Sequence, residues 1–197
     1  MKEKGLIFDL ENILIFYGVP CHAEEKLIWD FLISKKYIFH SDDLQGKNPC
    51  KFADEFKQYR ENDDEFLQAE RAKLHRKYLM DAVGTPSVSG VLQTLAQKYQ
   101  IVILAQSQGD GIIKALAKAG IRNYVNFIVP GEKWVGKSPI TLGLDIAMEK
   151  YPKIPKSNWL YVGNPSSHHM AKAANIRFLP YGIAPYENLE DIMEELI

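Results

Sequence analysis

Short, nearly unbroken apolar runs recur along the chain and set the limits of what it can fold into. They are "GLIFDL" (residues 5–10), "IVILA" (Ile101–Ala105), "NFIV" (Asn126–Val129), "WLYVG" (Trp159–Gly163) and "IRFLP" (Ile176–Pro180). A strand with one wet face alternates apolar and polar residues. A run that is apolar throughout is covered on both faces, as in a parallel sheet. Between the runs lie segments of helical period: Gly111–Ala119, Pro139–Tyr151 and Ser166–Asn175. Strands alternating with helices predict right-handed βαβ units and an α/β fold with a doubly wound parallel sheet. Such sheets bind ligands beyond the carboxyl ends of their strands.

One region interrupts the alternation. From about Phe16 to Thr85 no convincing strand is visible, and three stretches carry amphipathic helical patterns. The first, "HAEEKLIWDFLISKKY", puts Leu27, Ile28, Phe31 and Leu32 on one face. The second is "KFADEFKQYREN". The third, "DDEFLQAERAKLHRKYLMDAV", brings Phe66, Leu67, Leu74, Tyr78 and Leu79. This predicts a helical insertion over residues 16–85, with residues 1–15 and 86–197 forming the α/β core. "GTPSVSG" (Gly84–Gly90) carries turn chemistry and marks the return to the core.

Charge and apolar run length exclude some partners. A formal net charge of −1 gives no basic footprint for nucleic acid. No apolar stretch reaches the length of a membrane span, and Asp9, Glu11 and Asn12 break up the amino-terminal apolar run. Cys21 and Cys50 make no CxxC pair and no disulfide framework, so the expected compartment is the reducing cytoplasm.

The candidate chemistry lies at the strand ends. Asp9 closes the first run and Glu11 follows two residues later, a spacing that in extended backbone aims both side chains at one mouth. The pair suits a nucleophile with a general acid/base, or two turn carboxylates that cap a strand. Further on, "IVILAQSQGDG" ends a second strand in small and polar residues. Lys137 precedes a helix opened by Ser138 and Pro139, and "WLYVGNPSSHHMAKAANI" joins a strand to a helix through Gly163.

Taken in this order and spacing, these four segments resemble the motifs of the haloacid dehalogenase (HAD) superfamily of hydrolases. The resemblance spans the whole chain and implies a Rossmann-like core with a helical cap inserted after the first motif. It implies a nucleophile at Asp9, an acid/base at Glu11, and at Lys137 a cation that neutralises the nucleophile and phosphoryl group. It also implies Mg²⁺ held by Asp9, the backbone carbonyl of Glu11, and position 164. Caps in this family exclude water and select substrate. Tyr17, His22 and Trp29 are candidates to reach a ligand, or belong to an apolar core.

Several positions depart from the family pattern. Glu11 is one methylene longer than the usual aspartate, Asn12 stands for the usual glycine, and Ile13 for a hydroxyl or β-branched residue. Ala105 occupies the place of a phosphate-binding Ser or Thr. Gln106 and Ser107 stand close enough to substitute as substrate-binding residues, or are ordinary loop polars. Asn164 and His168 replace metal-binding acids. Asn164 offers an oxygen but no charge, so Mg²⁺ is expected to bind weakly or not at all. His168 and His169 are adjacent, and neighbours on a helix project about 100° apart, which is poor geometry for one ion.

The expectation is a HAD-like protein with a degenerate phosphohydrolase site, weakly active or noncatalytic, that binds a small phosphorylated molecule or a protein partner. An active Mg²⁺-dependent phosphatase of small phosphate monoesters is the alternative. A metal-independent, dehalogenase-like attack of Asp9 on carbon is the third reading.

Overall fold

The computed structural model describes residues 2–19, 21–38, 62–107, 109 and 111–197, and for Cys21 and His22 the backbone alone. Cys50 and the second amphipathic stretch, up to Glu61, lie outside the described residues. The chain forms two compact units, Met1–Tyr17 with Leu79–Ile197, and Gly18–Tyr78.

The larger unit is built on five parallel strands: β1 (Lys4–Asp9), β4 (Tyr99–Leu104), β5 (Phe127–Val129), β6 (Trp159–Gly163) and β7 (Arg177–Pro180). Their spatial order is β5-β4-β1-β6-β7. This Rossmann-like order grows outward in both directions from β1, so the crevice of the switch point opens between β1 and β6. Each predicted run became a strand, to within a residue or two at its ends.

Burial on both faces explains why those runs are apolar throughout. Leu6 and Phe8 of β1 pack on one face with Ile101, Ile103, Leu160 and Val162. Ile7 points the other way and packs with Val102, Leu104, Trp159 and Tyr161. The first face is covered by α3 (Val88–Lys98), α4 (Gly111–Lys118) and α7 (Leu189–Leu196). The second is covered by α5 (Leu142–Glu149) and α6 (His168–Ala174). The last helix starts with a capping box, in which Asn188 accepts from the Asp191 N–H and Asp191 accepts from the Asn188 N–H.

Two local expectations need correction. A two-stranded antiparallel ribbon, β2 (Ile15–Phe16) with β3 (Val83–Gly84), stands at the two ends of the region read as free of strands. Two residues per strand are too few to show a period in sequence. The segment read as turn chemistry also ends early, because Val88 already opens α3. There Val88, Val91, Leu92 and Leu95 form a buried stripe that outweighs the weak helix propensity of Ser89 and Gly90.

The smaller unit holds α1 (Cys21–Ser34) and most of α2 (Asp63–Leu79). Ile28, Phe31, Leu32, Ile38 and Leu67 form its buried cluster. Polar ties reinforce it: Arg71 Nε donates to Glu24 at 2.8 Å and Tyr37 Oη to Asp63 at 2.7 Å. Phe66, one of the apolar positions of the third amphipathic stretch, is half exposed with its ring stacked on Phe31.

Gly5 marks the tightest point of the sheet core. A Cβ there would lie 2.2 Å from Cε3 of Trp159, the neighbour across the β1–β6 pairing. Gly5→Ala should therefore lower stability by about 1–3 kcal/mol in urea unfolding. In a double-mutant cycle with Trp159→Leu, the two losses should be less than additive. Full additivity would show that the indole is not the obstacle.

Candidate active site

Sheet parity places the first carboxylate. Side chains two residues apart share a face, so Asp9 follows Ile7 onto the face that carries Tyr161. Tyr161 is the register partner of Ile7 on β6. Its ring reaches along the strands, and its hydroxyl donates to Asp9 Oδ1 at 2.5 Å. The other carboxylate oxygen, Oδ2, accepts the Asn164 N–H and the Ser167 hydroxyl, both at 3.1 Å. Asp9 is 6% exposed. Its two oxygens thus receive three donors, all from the β6–α6 connection or the strand before it.

Burial pushes the Asp9 carboxyl up to about pH 6, against the pull of the Tyr161, Asn164 and Ser167 hydrogen bonds and with a small push from the Glu11 charge. The Tyr161 phenol is raised as well, by burial first and then by the Asp9 charge.

Glu11 lies past the end of β1, in a tight turn closed by Asn12 N–H to Ile15 C=O at 2.9 Å. Asn12 takes a left-handed conformation at φ 64°, a region that asparagine tolerates better than most residues. Its place in a position usually held by glycine therefore preserves the turn. The Glu11 side chain is buried, and its oxygens accept the backbone N–H groups of Gln106 (3.0 Å) and Ser107 (2.9 Å). Its backbone carbonyl faces Asn164 Nδ2 at 3.4 Å.

The structure brings some candidate residues together and leaves others apart. Asp9, Glu11 and Asn164 meet, and Gln106 and Ser107 join them through backbone N–H groups. The Gln106 side chain is exposed, while the Ser107 hydroxyl pairs with the Tyr17 hydroxyl at 2.8 Å. Ala105 is fully buried, and its carbonyl accepts Trp134 Nε1 at 3.0 Å. Lys137 is exposed, with its ammonium on the Glu132 carbonyl at 2.5 Å. His168 and His169 are both exposed. The first stacks on Phe178, and the second contacts the Ser166 carbonyl through Nδ1 at 2.6 Å. Among the described residues no group of three His, Cys, Asp or Glu is placed to hold a metal ion. Trp29 packs against the cluster of the smaller unit, and the His22 side chain lies outside the described residues.

Tyr161 and Ser167 were missed in the sequence. The signal for Tyr161 was its phenol inside a strand buried on both faces, two residues before Gly163 and so on the same face as the strand-end glycine. Ser167 carried no comparable signal, because its hydroxyl is one of two in "PSSHH".

A family model for haloacid dehalogenase-like hydrolases matches residues 25–180, well over half of the chain. The chain belongs to the haloacid dehalogenase-like hydrolase family. No curated protein sequence matches it. Solved structures of this family share its fold over nearly the whole length. A candidate phosphoglycolate phosphatase from Lactobacillus plantarum superposes with a TM-score of 0.69 at 16% identity, covering 98% of this chain and 99% of the other. A candidate HAD-hydrolase from Bacillus subtilis, bound to magnesium, gives 0.63 at 16% identity with 100% and 99% covered. A β-phosphoglucomutase from Clostridium difficile gives 0.63 at 18% identity with 97% and 88% covered. Magnesium is the usual metal of HAD-like hydrolases. No described helix of this member is long and apolar enough to cross a membrane.

The raised Asp9 carboxyl makes stability depend on pH with a definite sign. Folding takes up a proton between the ordinary carboxyl value of 3.8 and about 6. The stabilisation is therefore full below about pH 4 and is lost as pH rises through about 6, a loss of roughly 3 kcal/mol by neutral pH. Asp9→Asn should remove this dependence. Its stability relative to the parent should climb between about pH 4 and pH 7.5 in urea unfolding. A difference that stays constant with pH would contradict the assignment.

Proposed function

We propose that this HAD-like hydrolase has a phosphoryl-transfer centre occupied by its own hydrogen-bond donors, so that turnover is weak or nil, and that it acts by binding a phosphorylated small molecule or a protein partner. The observation that carries this reading is the occupation of Asp9, whose two oxygens already hold three donors and keep about one of four lone-pair positions open. A nucleophile needs a lone pair aimed at its target. Here Oδ1 is held by Tyr161, and Oδ2 by Asn164 and Ser167.

The donor set does not fit Mg²⁺. That ion takes hard, preferably anionic oxygens in near-octahedral array. Each oxygen that the family pattern would supply already faces a hydrogen-bond donor: both Asp9 oxygens, and the Glu11 carbonyl, which meets the Asn164 amide. A metal would have to share oxygens already engaged by donors and would find a single carboxylate among them, with a neutral amide at position 164. Without an intervening cation, a phosphate dianion approaching Asp9 is repelled.

The test is a phosphatase assay with small phosphate monoesters across divalent metals, run beside Asp9→Asn. The expected result is no Mg²⁺-dependent turnover above that of the variant, and no rise in melting temperature with millimolar Mg²⁺. Mg²⁺-dependent hydrolysis that Asp9→Asn abolishes would establish instead an active phosphatase, with Asp9 attacking and Glu11 exchanging protons. Asn164→Asp combined with His168→Asp should raise Mg²⁺ affinity, measured by calorimetry. Unchanged affinity would mean that positions 164 and 168 do not face the metal locus.

A further inference from the structure

Two consecutive backbone N–H groups, those of Gln106 and Ser107, project from the carboxyl end of β4 toward the mouth of the site. Successive N–H groups in a loop form a concavity of positive partial charge that favours an anion. Gln106 and Ser107 pack closely against Gly131. The Ser107 carbonyl accepts the Gly131 N–H at 2.8 Å, and a Cβ on Gly131 would come within 1.9 Å of the Gln106 carbonyl oxygen. The hydroxyls of Ser107 and Tyr17 stand beside it, 2.8 Å apart.

An anion already occupies this concavity, and it belongs to the chain. The Glu11 carboxylate places Oε2 on the Gln106 N–H and Oε1 on the Ser107 N–H, at 3.0 and 2.9 Å. The side chain is 8% exposed. One oxygen per donor is the arrangement in which a bound oxyanion would sit. The reach comes from length. An aspartate on the same backbone would end about 1.5 Å short, one carbon–carbon bond.

We propose that Glu11 is an internal competitor for an oxyanion site formed by the Gln106 and Ser107 N–H groups: it keeps phosphate out, and a ligand bearing a tetrahedral oxyanion enters only when the Glu11 carboxylate leaves. This goes beyond the reading of the phosphoryl-transfer centre, because it concerns occupancy rather than chemistry. No bond is made or broken. The ligand replaces one set of charge-assisted hydrogen bonds with another.

The experiment is a titration of the full chain with inorganic phosphate, followed by amide NMR shifts of Gln106 and Ser107 and by calorimetry. It compares the parent with Glu11→Asp, which shortens the arm, and Glu11→Gln, which removes the charge at constant length. Thermal melts establish that each variant is folded. In the parent the two amides should not move at millimolar phosphate. In Glu11→Asp they should move together and saturate, with apparent affinity raised about tenfold or more. Glu11→Gln should give the same shifts. The inference is overturned if a folded variant binds phosphate no better than the parent, if the shifts fall elsewhere, or if the parent binds through these amides. A merely structural Glu11 would destabilise the variants without creating a binding site. Turnover plays no part in this readout, so activity in the phosphatase assay would overturn the earlier reading and leave this one standing, and the reverse holds equally.

Discussion

A carboxylate buried at the end of a central strand is the constraint around which this site is organised. In a low-dielectric setting, an oxygen without a partner is costly, and a charge without one more so. Asp9 meets that demand with three donors taken from β6 and the turn after it. The switch-point crevice between β1 and β6 is where a doubly wound sheet would receive a ligand. In this chain the crevice is bridged by hydrogen bonds within the protein.

The two carboxylates illustrate how position along a strand decides chemistry. Asp9 is the last residue of β1 and obeys sheet parity, so it faces Tyr161. Glu11 lies beyond the sheet, where the turn at Asn12 frees it from parity and lets it cross to the end of β4. The sequence reading aimed both side chains at one mouth. In the structure each is held by a different set of donors, Asp9 by those of β6 and the turn after it, Glu11 by the N–H groups at the end of β4.

Much of the fold was legible because burial on both faces leaves an unmistakable mark. Runs such as "WLYVG" have no polar interruption because no side of β6 meets water, and the run became the strand at its full length. The ribbon of β2 and β3 was not legible, being shorter than any period. The helix Val88–Lys98 was obscured by the small residues at its start. The candidate site was legible at Asp9, Glu11 and Asn164, since strand ends are easy to locate. Their partners were not. Tyr161 acts through a side chain that runs along the sheet, and the donors to Glu11 are backbone N–H groups, which no residue type announces. Lys137 was placed by its distance from a helix start, which says nothing of where a long, flexible side chain will rest.

The central place of β1 has a cost in the order of assembly. Leu6 is paired with Ile101 on one side and Leu160 on the other. The earliest strand of this sheet in chain order therefore gains its second neighbour only once β6 is made, and it must wait for most of the chain. Long-range pairings of this kind slow folding, because the entropy of closing large loops is lost before any contact is gained. Until β6 emerges, the apolar ribbon of residues 5–8 has an unsatisfied edge. A nascent chain of this protein has reason to need shelter on the ribosome.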